Sequence, residues 1–164
     1  MDELLGEKDE LSERLEDLDV LSRRAVIEFA IECATRANDY VEDPDDDEAI
    51  DALALARLCL DEPAKGTQCA LAAAEARDIA ETYPRSDPHA GANWAAHYAA
   101  KVAVDHLSHT VEYVWGAADW ACLASPDREG ERIWQLQKLS LEIAVRRGTG
   151  STRLGRPSGL AEKN

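Results

Sequence analysis

The chain has 164 residues, the length of one domain, and its 33 Asp and Glu against 18 Lys and Arg leave a formal charge of −15. The acid is concentrated at one end. Residues 1–50 hold 18 carboxylates against 5 cations, a net of −13, whereas residues 51–164 hold 15 against 13, a net of −2. A one-sided field of that kind repels nucleic acid and anionic membrane and attracts basic proteins.

The opening stretch MDELLGEKDELSERL has neither a basic n-region nor an apolar h-region, so it does not read as a secretory signal. With no apolar run long enough to span a bilayer, the expected location is cytoplasmic. The four cysteines, Cys33, Cys59, Cys69 and Cys122, form no C-x-x-C pair and stand among Ala, Leu or Trp. They read as buried, reduced thiols rather than a disulfide framework or zinc site.

Nearly every segment has helical periodicity. Residues 3–18 carry Leu4, Leu11, Leu15 and Leu18 on a charged rod interrupted by Gly6, a stripe open to docking on the body or on a second copy. Ser22 fits the N-cap of a helix whose apolar face is Val26, Phe29, Ala30, Cys33, Ala37 and Tyr40. The run Glu42-Asp43-Pro44-Asp45-Asp46-Asp47-Glu48 ends it, because Pro44 disfavours helix at the residue before it. A helix over about 47–60 follows, with Ile50, Leu53, Leu55, Leu58 and Leu60 expected to be largely buried.

Thr67 is the expected cap of the next helix, which places Cys69, Ala73, Ala76, Ala80 and Tyr83 on one face. Tyr83-Pro84-Arg85-Ser86 breaks the chain, and Asp87 with Pro88 behind it has the cap-then-proline pattern of a helix start. From there to Ala124 no proline intervenes, and the length favours a break near His106–Thr110 over one long helix. The first part, ANWAAHYAAKVAV, is apolar almost all round, the mark of a central helix. The second places Leu107, Val111, Val114, Ala118 and Ala121 at helical spacing. Ser125-Pro126-Asp127 starts the last helix, through Ile133, Trp134, Leu136, Leu139, Ile143 and Ala144 to about Arg146.

The expected architecture is all-α: an Ala-rich helical bundle of five to seven helices, open to a stacked-hairpin arrangement. Residues 1–21 read as a charged amphipathic extension, 22–146 as the helical domain and 147–164 as a mobile basic tail. Alanine is the best helix former and the weakest hydrophobe, so such a core must bring backbones close together. Trp94, Trp115, Trp120 and Trp134 are the expected gap fillers, and Trp120 beside Asp119 also suits an interface hot spot.

No catalytic motif accompanies this pattern. His106 and His109 stand three apart with Asp105 and Glu112 nearby, but neither H-E-x-x-H nor a helical Glu-x-x-His partner is present, so no metal is assigned. Gly148-Thr149-Gly150-Ser151 lacks the lysine arrangement of a phosphate-binding loop, and no cofactor is implied. The function read from the residues is non-enzymatic protein binding. The partner-binding candidates are Asp43, Asp45, Asp46, Asp47 and Glu48, with Asp39 and Glu42 at the margin, facing a basic protein. The alternative is a helical scaffold or homo-oligomer joined through residues 3–18, its acid serving solubility.

Residues 22–145 resemble the small helical immunity-protein family of bacterial polymorphic-toxin systems, called immunity-five-like. The resemblance is carried by AVIEFAIECA, the acidic loop, ALAAAEARDIA, WAAHYAAKVAVDHLSHTVEYVWGAADWA, and most specifically Glu131-Arg132-Ile133-Trp134-Gln135 leading to Leu139. The sequence departs from the family in its 1–21 extension, its basic tail, and Ser140 where a proline is expected. What the resemblance implies is cytoplasmic neutralisation of a co-produced toxin by direct binding, with no catalytic residues.

Overall fold

A computed structural model describes residues 23–41, 48–104 and 110–155 of the chain, with side chains as far as residue 145. The leucine stripe of 3–18, the Ser22 cap, the run Glu42–Asp47, Leu107 and the His106/His109 pair lie outside the described residues, as do residues 156–164. Among the described residues six α-helices pack as a bundle: α1 (Arg23–Asp39), α2 (Glu48–Asp61), α3 (Gly66–Ala80), α4 (Pro88–Val104), α5 (Thr110–Ala124) and α6 (Arg128–Gly155). No strand occurs among the described residues. The all-α expectation holds.

Helix α4 is the centre, as its all-round apolar sequence predicts. Eleven of its residues are buried, most of them alanine, and it packs against α1, α2, α3 and α5. Small residues let the backbones approach, which replaces bulky side-chain burial with close van der Waals contact. Two glycines show how close α4 and α5 come. A Cβ on Gly91 would meet Ala124 Cβ at 2.9 Å and the Trp120 carbonyl oxygen at 3.0 Å. One on Gly116 would meet Tyr98 Cγ at 2.9 Å. The expected break within 88–124 is present, since α4 ends at Val104 and α5 begins at Thr110. The two run antiparallel: Gly91 opposes Ala124, Trp94 opposes Trp120, Tyr98 opposes Gly116 and Lys101 opposes Tyr113.

Helix α1 also runs antiparallel to α4. At its start the Arg23 guanidinium donates to the carbonyls of Val102 and Ala103, 3.4 and 3.2 Å away at the end of α4. The predicted inner face of Val26, Phe29, Ala30, Cys33 and Ala37 is buried, with Tyr40 half-buried. Ala25, Ile27, Ile31 and Ala34 are buried too, because α1 is covered by α4 and α5 as well as α2.

Local stop and start signals are realised at two junctions. Asp87 caps α4, its Oδ1 accepting from the His89 N–H at 2.9 Å behind Pro88. Asp127 caps α6, accepting from the Gly130 N–H at 2.9 Å, while Ser125 Oγ accepts from the Asp127 N–H at 3.0 Å. Thr67 is not a cap. A 3-10 turn, Pro63–Lys65, feeds α3 from Gly66, and neither Glu62 nor Lys65, the residues at the two N-cap positions, makes a side-chain cap hydrogen bond.

Helix α2 turns a different face inward from the one its leucines suggest. Ala49, Ala52, Leu53, Ala56 and Cys59 are buried, whereas Ile50 is 45% and Leu58 37% exposed. The alanine stripe wins because it allows α2 to lie close on α4, a spacing that a row of leucines would prevent. In α6, Leu139 and Ile143 are buried as expected, but Ile133 and Ala144 face solvent. The helix also runs on to Gly155, past the expected stop near Arg146. All four thiols are buried and unlinked. Burial pushes Cys33 well above its ordinary range, and burial with neighbouring Cys59 pushes Cys69 up to about 12. Neither is poised as a nucleophile.

Candidate partner-binding site

The acidic candidates sit where α1 ends and α2 begins. Asp39 is the last residue of α1 and is exposed; Glu48 is the first residue of α2 and is half-buried. Glu42, Asp43, Asp45, Asp46 and Asp47, between them, lie outside the described residues. Glu48 and Asp51 occupy the first turn of α2, where carboxylates favour the positive end of the helix dipole. At the α1 side the chain turns back through Tyr40 N–H to the Ala37 carbonyl and Val41 N–H to the Asn38 carbonyl, both 3.2 Å, and Val41 is buried.

That corner is clamped by the motif Glu131-Arg132-Ile133-Trp134-Gln135. Glu131 is buried, and its carboxylate accepts from Arg36 Nε and Nη2 at 3.0–3.2 Å. The Tyr40 hydroxyl donates to the same carboxylate. The Arg36 guanidinium lies 3.9 Å over the Trp134 ring, so an ion pair and a cation–π contact hold one side chain. The Glu131 hydrogen bond is the largest cause raising Arg36 further, while burial first and Glu131 second push the Tyr40 hydroxyl up.

Deeper in, Arg132 is fully buried. Its Nη2 donates to Asp119 Oδ1 and its Nη1 to Gln135 Oε1, both at 2.8 Å. Gln135 Nε2 donates to the Ala118 carbonyl at 2.8 Å. A polar thread therefore ties α6 to α1 on one side and to α5 on the other. Buried charges persist only when paired and hydrogen-bonded, and this set satisfies that condition through partners far apart in sequence. The sequence marked these residues as a motif, but their inward orientation could not be read from it. The only local hint is Arg36 and Tyr40 one helical turn apart.

A second feature covers the outer face of the α4–α5 hairpin. Trp94, Tyr98, Tyr113, Trp115 and Trp120 are all half-buried. Trp94 stacks on Trp120 at 5.6 Å and on Tyr98 at 6.0 Å, and Tyr98 meets Tyr113 at 6.1 Å. Arg85 lies 5.1 Å from the Trp120 ring and Lys101 5.6 Å from the Tyr113 ring, one cation toward each end of the ribbon. None of the four tryptophans is a fully buried filler, Trp134 being half-buried as well. The interhelical space is already taken by alanine, so the indoles lie over the outside of the packed layer. A groove of about 490 Å³ opens beside the rings, with Gly116 in its floor and Val111 at its rim.

The described histidines serve structure. His97 is buried among Trp94 and Tyr98, its Nδ1 donating to the Ala73 carbonyl at 2.8 Å. Burial, the largest cause, holds it below its ordinary pKa, toward the neutral form. His89 stacks on Tyr83 and joins the Asp87 cap. Among the described residues no group of His, Cys, Asp or Glu could hold a metal ion, and no helix is long and apolar enough to cross a membrane.

Comparison with protein families finds a match over residues 16–142 to the model described as "Imm-5 like putative immunity protein". The matched span takes in α1 to α5 and α6 as far as Glu142. No curated protein and no solved structure matches the chain.

Proposed function

The chain belongs to the Imm-5-like immunity-protein family, and from that premise we propose that it is a non-enzymatic cytoplasmic protein that neutralises a cognate basic toxin by binding it. The observation that carries the acidic-face part of the reading is six carboxylates in the seven positions 42–48, joined at the same corner by Asp39. Glu48 is fixed at the start of α2 and Tyr40 is clamped by Glu131, so the described residues on either side of 42–47 are held by the bundle. A field of that sign draws in a protein with a positively charged face, and it acts on the rate of encounter more than on the lifetime of the complex. It fades over a Debye length of about 8 Å at physiological salt.

The test is to identify a toxin gene adjacent to this one and measure stopped-flow association with its toxin domain. Replacing Asp43, Asp45, Asp46 and Asp47 by Asn and Glu48 by Gln is expected to slow association by about tenfold or more at low salt. Association that is unchanged in this variant and indifferent to salt would overturn the acidic-face reading.

The alternative, a scaffold or homo-oligomer joined through residues 3–18, draws on the outward side of α6, where Ile133, Leu141 and Val145 are exposed. Light scattering of the full chain and of a chain lacking residues 1–20 separates the readings. Identical monomeric masses rule out the oligomer.

A further inference from the structure

We propose that the aromatic ribbon on the α4–α5 hairpin is the surface that holds the partner after the acidic segment has attracted it, an inference that rests on the toxin-binding reading. The chain has nine aromatic residues, four Trp, four Tyr and one Phe. Five of them, Trp94, Tyr98, Tyr113, Trp115 and Trp120, form this one half-exposed strip, while the interior is built mainly from alanine. Trp, Tyr and Arg are the residue types that dominate binding hot spots, because large rigid rings bury much area for little lost side-chain entropy.

The strip is pre-organised. Trp94 stacks on Trp120 and on Tyr98, and Tyr98 meets Tyr113 across two antiparallel helices, with the Tyr98 ring packed directly on Gly116. Val111, on the rim of the groove, is 44% exposed, an apolar side chain presented to solvent beside the rings.

Charge defines the occupant. On a chain of net −15, the cations touching the ribbon are Arg85 over Trp120 and Lys101 over Tyr113, while the groove itself carries one carboxylate, Glu112, in its lining. A fitting partner segment places an aliphatic or aromatic side chain in the groove and carboxylates toward Arg85 and Lys101. Because α1 and α4 are antiparallel, the end of α1 that leads into the acidic segment is toward the Trp94–Trp120 end of the ribbon, whereas Lys101, Tyr113 and Val111 lie toward the end where α1 begins. A basic face and an acid-flanked apolar segment of one partner could therefore engage both surfaces. Long-range charge and desolvated contact then divide the kinetics, the first setting association and the second dissociation.

The experiment is surface plasmon resonance of the full chain against the toxin domain identified by the stopped-flow test above, held as an inactive variant. Its arms are wild type, Val111→Asp, Tyr113→Ser, the pair Arg85→Glu with Lys101→Glu, and the acidic-segment variant. Val111→Asp alters an exposed side chain and leaves the helical core intact, so its thermal unfolding should match wild type. The expected result is dissociation at least tenfold faster for Val111→Asp and Tyr113→Ser, and several-fold faster for the charge-reversed pair. Their low-salt association should be near wild type, whereas the acidic-segment variant slows association and leaves dissociation unchanged. Wild-type dissociation rates in all three ribbon variants, with toxin binding and the acidic effect intact, overturn this inference and leave the proposed function standing. No binding by the wild-type chain overturns both.

Discussion

Arg132 and Asp119 meet at 2.8 Å inside the protein, the arginine fully buried and the aspartate nearly so. The pair joins the first turns of α6 to the second half of α5, and Gln135 completes it by bonding both Arg132 and the Ala118 carbonyl. Asp119→Ala would strand the guanidinium in a low-dielectric site. The expected loss is about 3–5 kcal/mol in urea unfolding. Asp119→Leu combined with Arg132→Met should lose clearly less than Asp119→Ala alone, because it removes the uncompensated charge. A double variant less stable than the single one would show that the pair is not the dominant contact.

Gly91 and Gly116 should respond unequally to alanine. Substitution within a helix gains up to about 1 kcal/mol in propensity, and overpacking costs about 1–3 kcal/mol. At Gly116 the obstacle is the Tyr98 ring, a side chain that can shift. At Gly91 the obstacles are Ala124 Cβ and the Trp120 backbone carbonyl, which cannot move without the helix. Gly91→Ala should therefore be the more destabilising. Gly116→Ala should displace the Tyr98 ring and change tryptophan fluorescence through Trp94. Chemical denaturation of both variants checks the order.

His97 gives stability a dependence on mildly acidic pH. Its folded pKa is lowered from 6.5, first by burial, with Lys101 and Arg77 adding to the effect and the Ala73 carbonyl and Glu81 opposing it. The unfolded chain takes up the proton first as pH falls, so stability is full above about 6.5 and is lost as pH drops toward the lowered folded value. His97→Asn keeps a donor near the Ala73 carbonyl and removes the titration. The melting temperature of that variant should fall less than wild type between pH 7 and 5. Parallel curves would mean that His97 is not the group responsible.

Asp87 acts in a lower window. Its folded pKa is depressed below 3.8, chiefly by the backbone hydrogen bond from His89. The stabilisation is present above about 3.8 and disappears as pH falls through the depressed value. Asp87→Ala should cost about 1 kcal/mol near neutral pH, while Asp87→Asn should retain most of the cap. Loss of the same size in both variants would assign the effect to charge rather than capping.

Local chemistry was legible in sequence. Asp87-Pro88 and Ser125-Pro126-Asp127 announce helix starts through their own side chains, and the structure uses both. The all-round apolar character of residues 92–104 marks a helix with neighbours on several sides, and α4 has four. Faces were harder to read. In α2 the large aliphatics Ile50 and Leu58 and the alanines at 49, 52 and 56 each form a plausible inner surface, and only the spacing to α4 selects the alanines.

The same limit applies to the candidate site. Charge adds up along a chain, so the concentration of acid in residues 1–50 is a property of the sequence alone. Where Tyr40 and the end of α1 are pinned depends on Glu131, which is 91 residues further on. The aromatic ribbon likewise needs α4 and α5 to fold back on each other before Trp94 can meet Trp120. Helix identity, helix starts and the acidic bias thus follow from residues acting on their neighbours. The buried clamp, the inner face of α2 and the ribbon arise when distant helices meet, because alanine-rich surfaces can pack in several ways and only contact between them decides which.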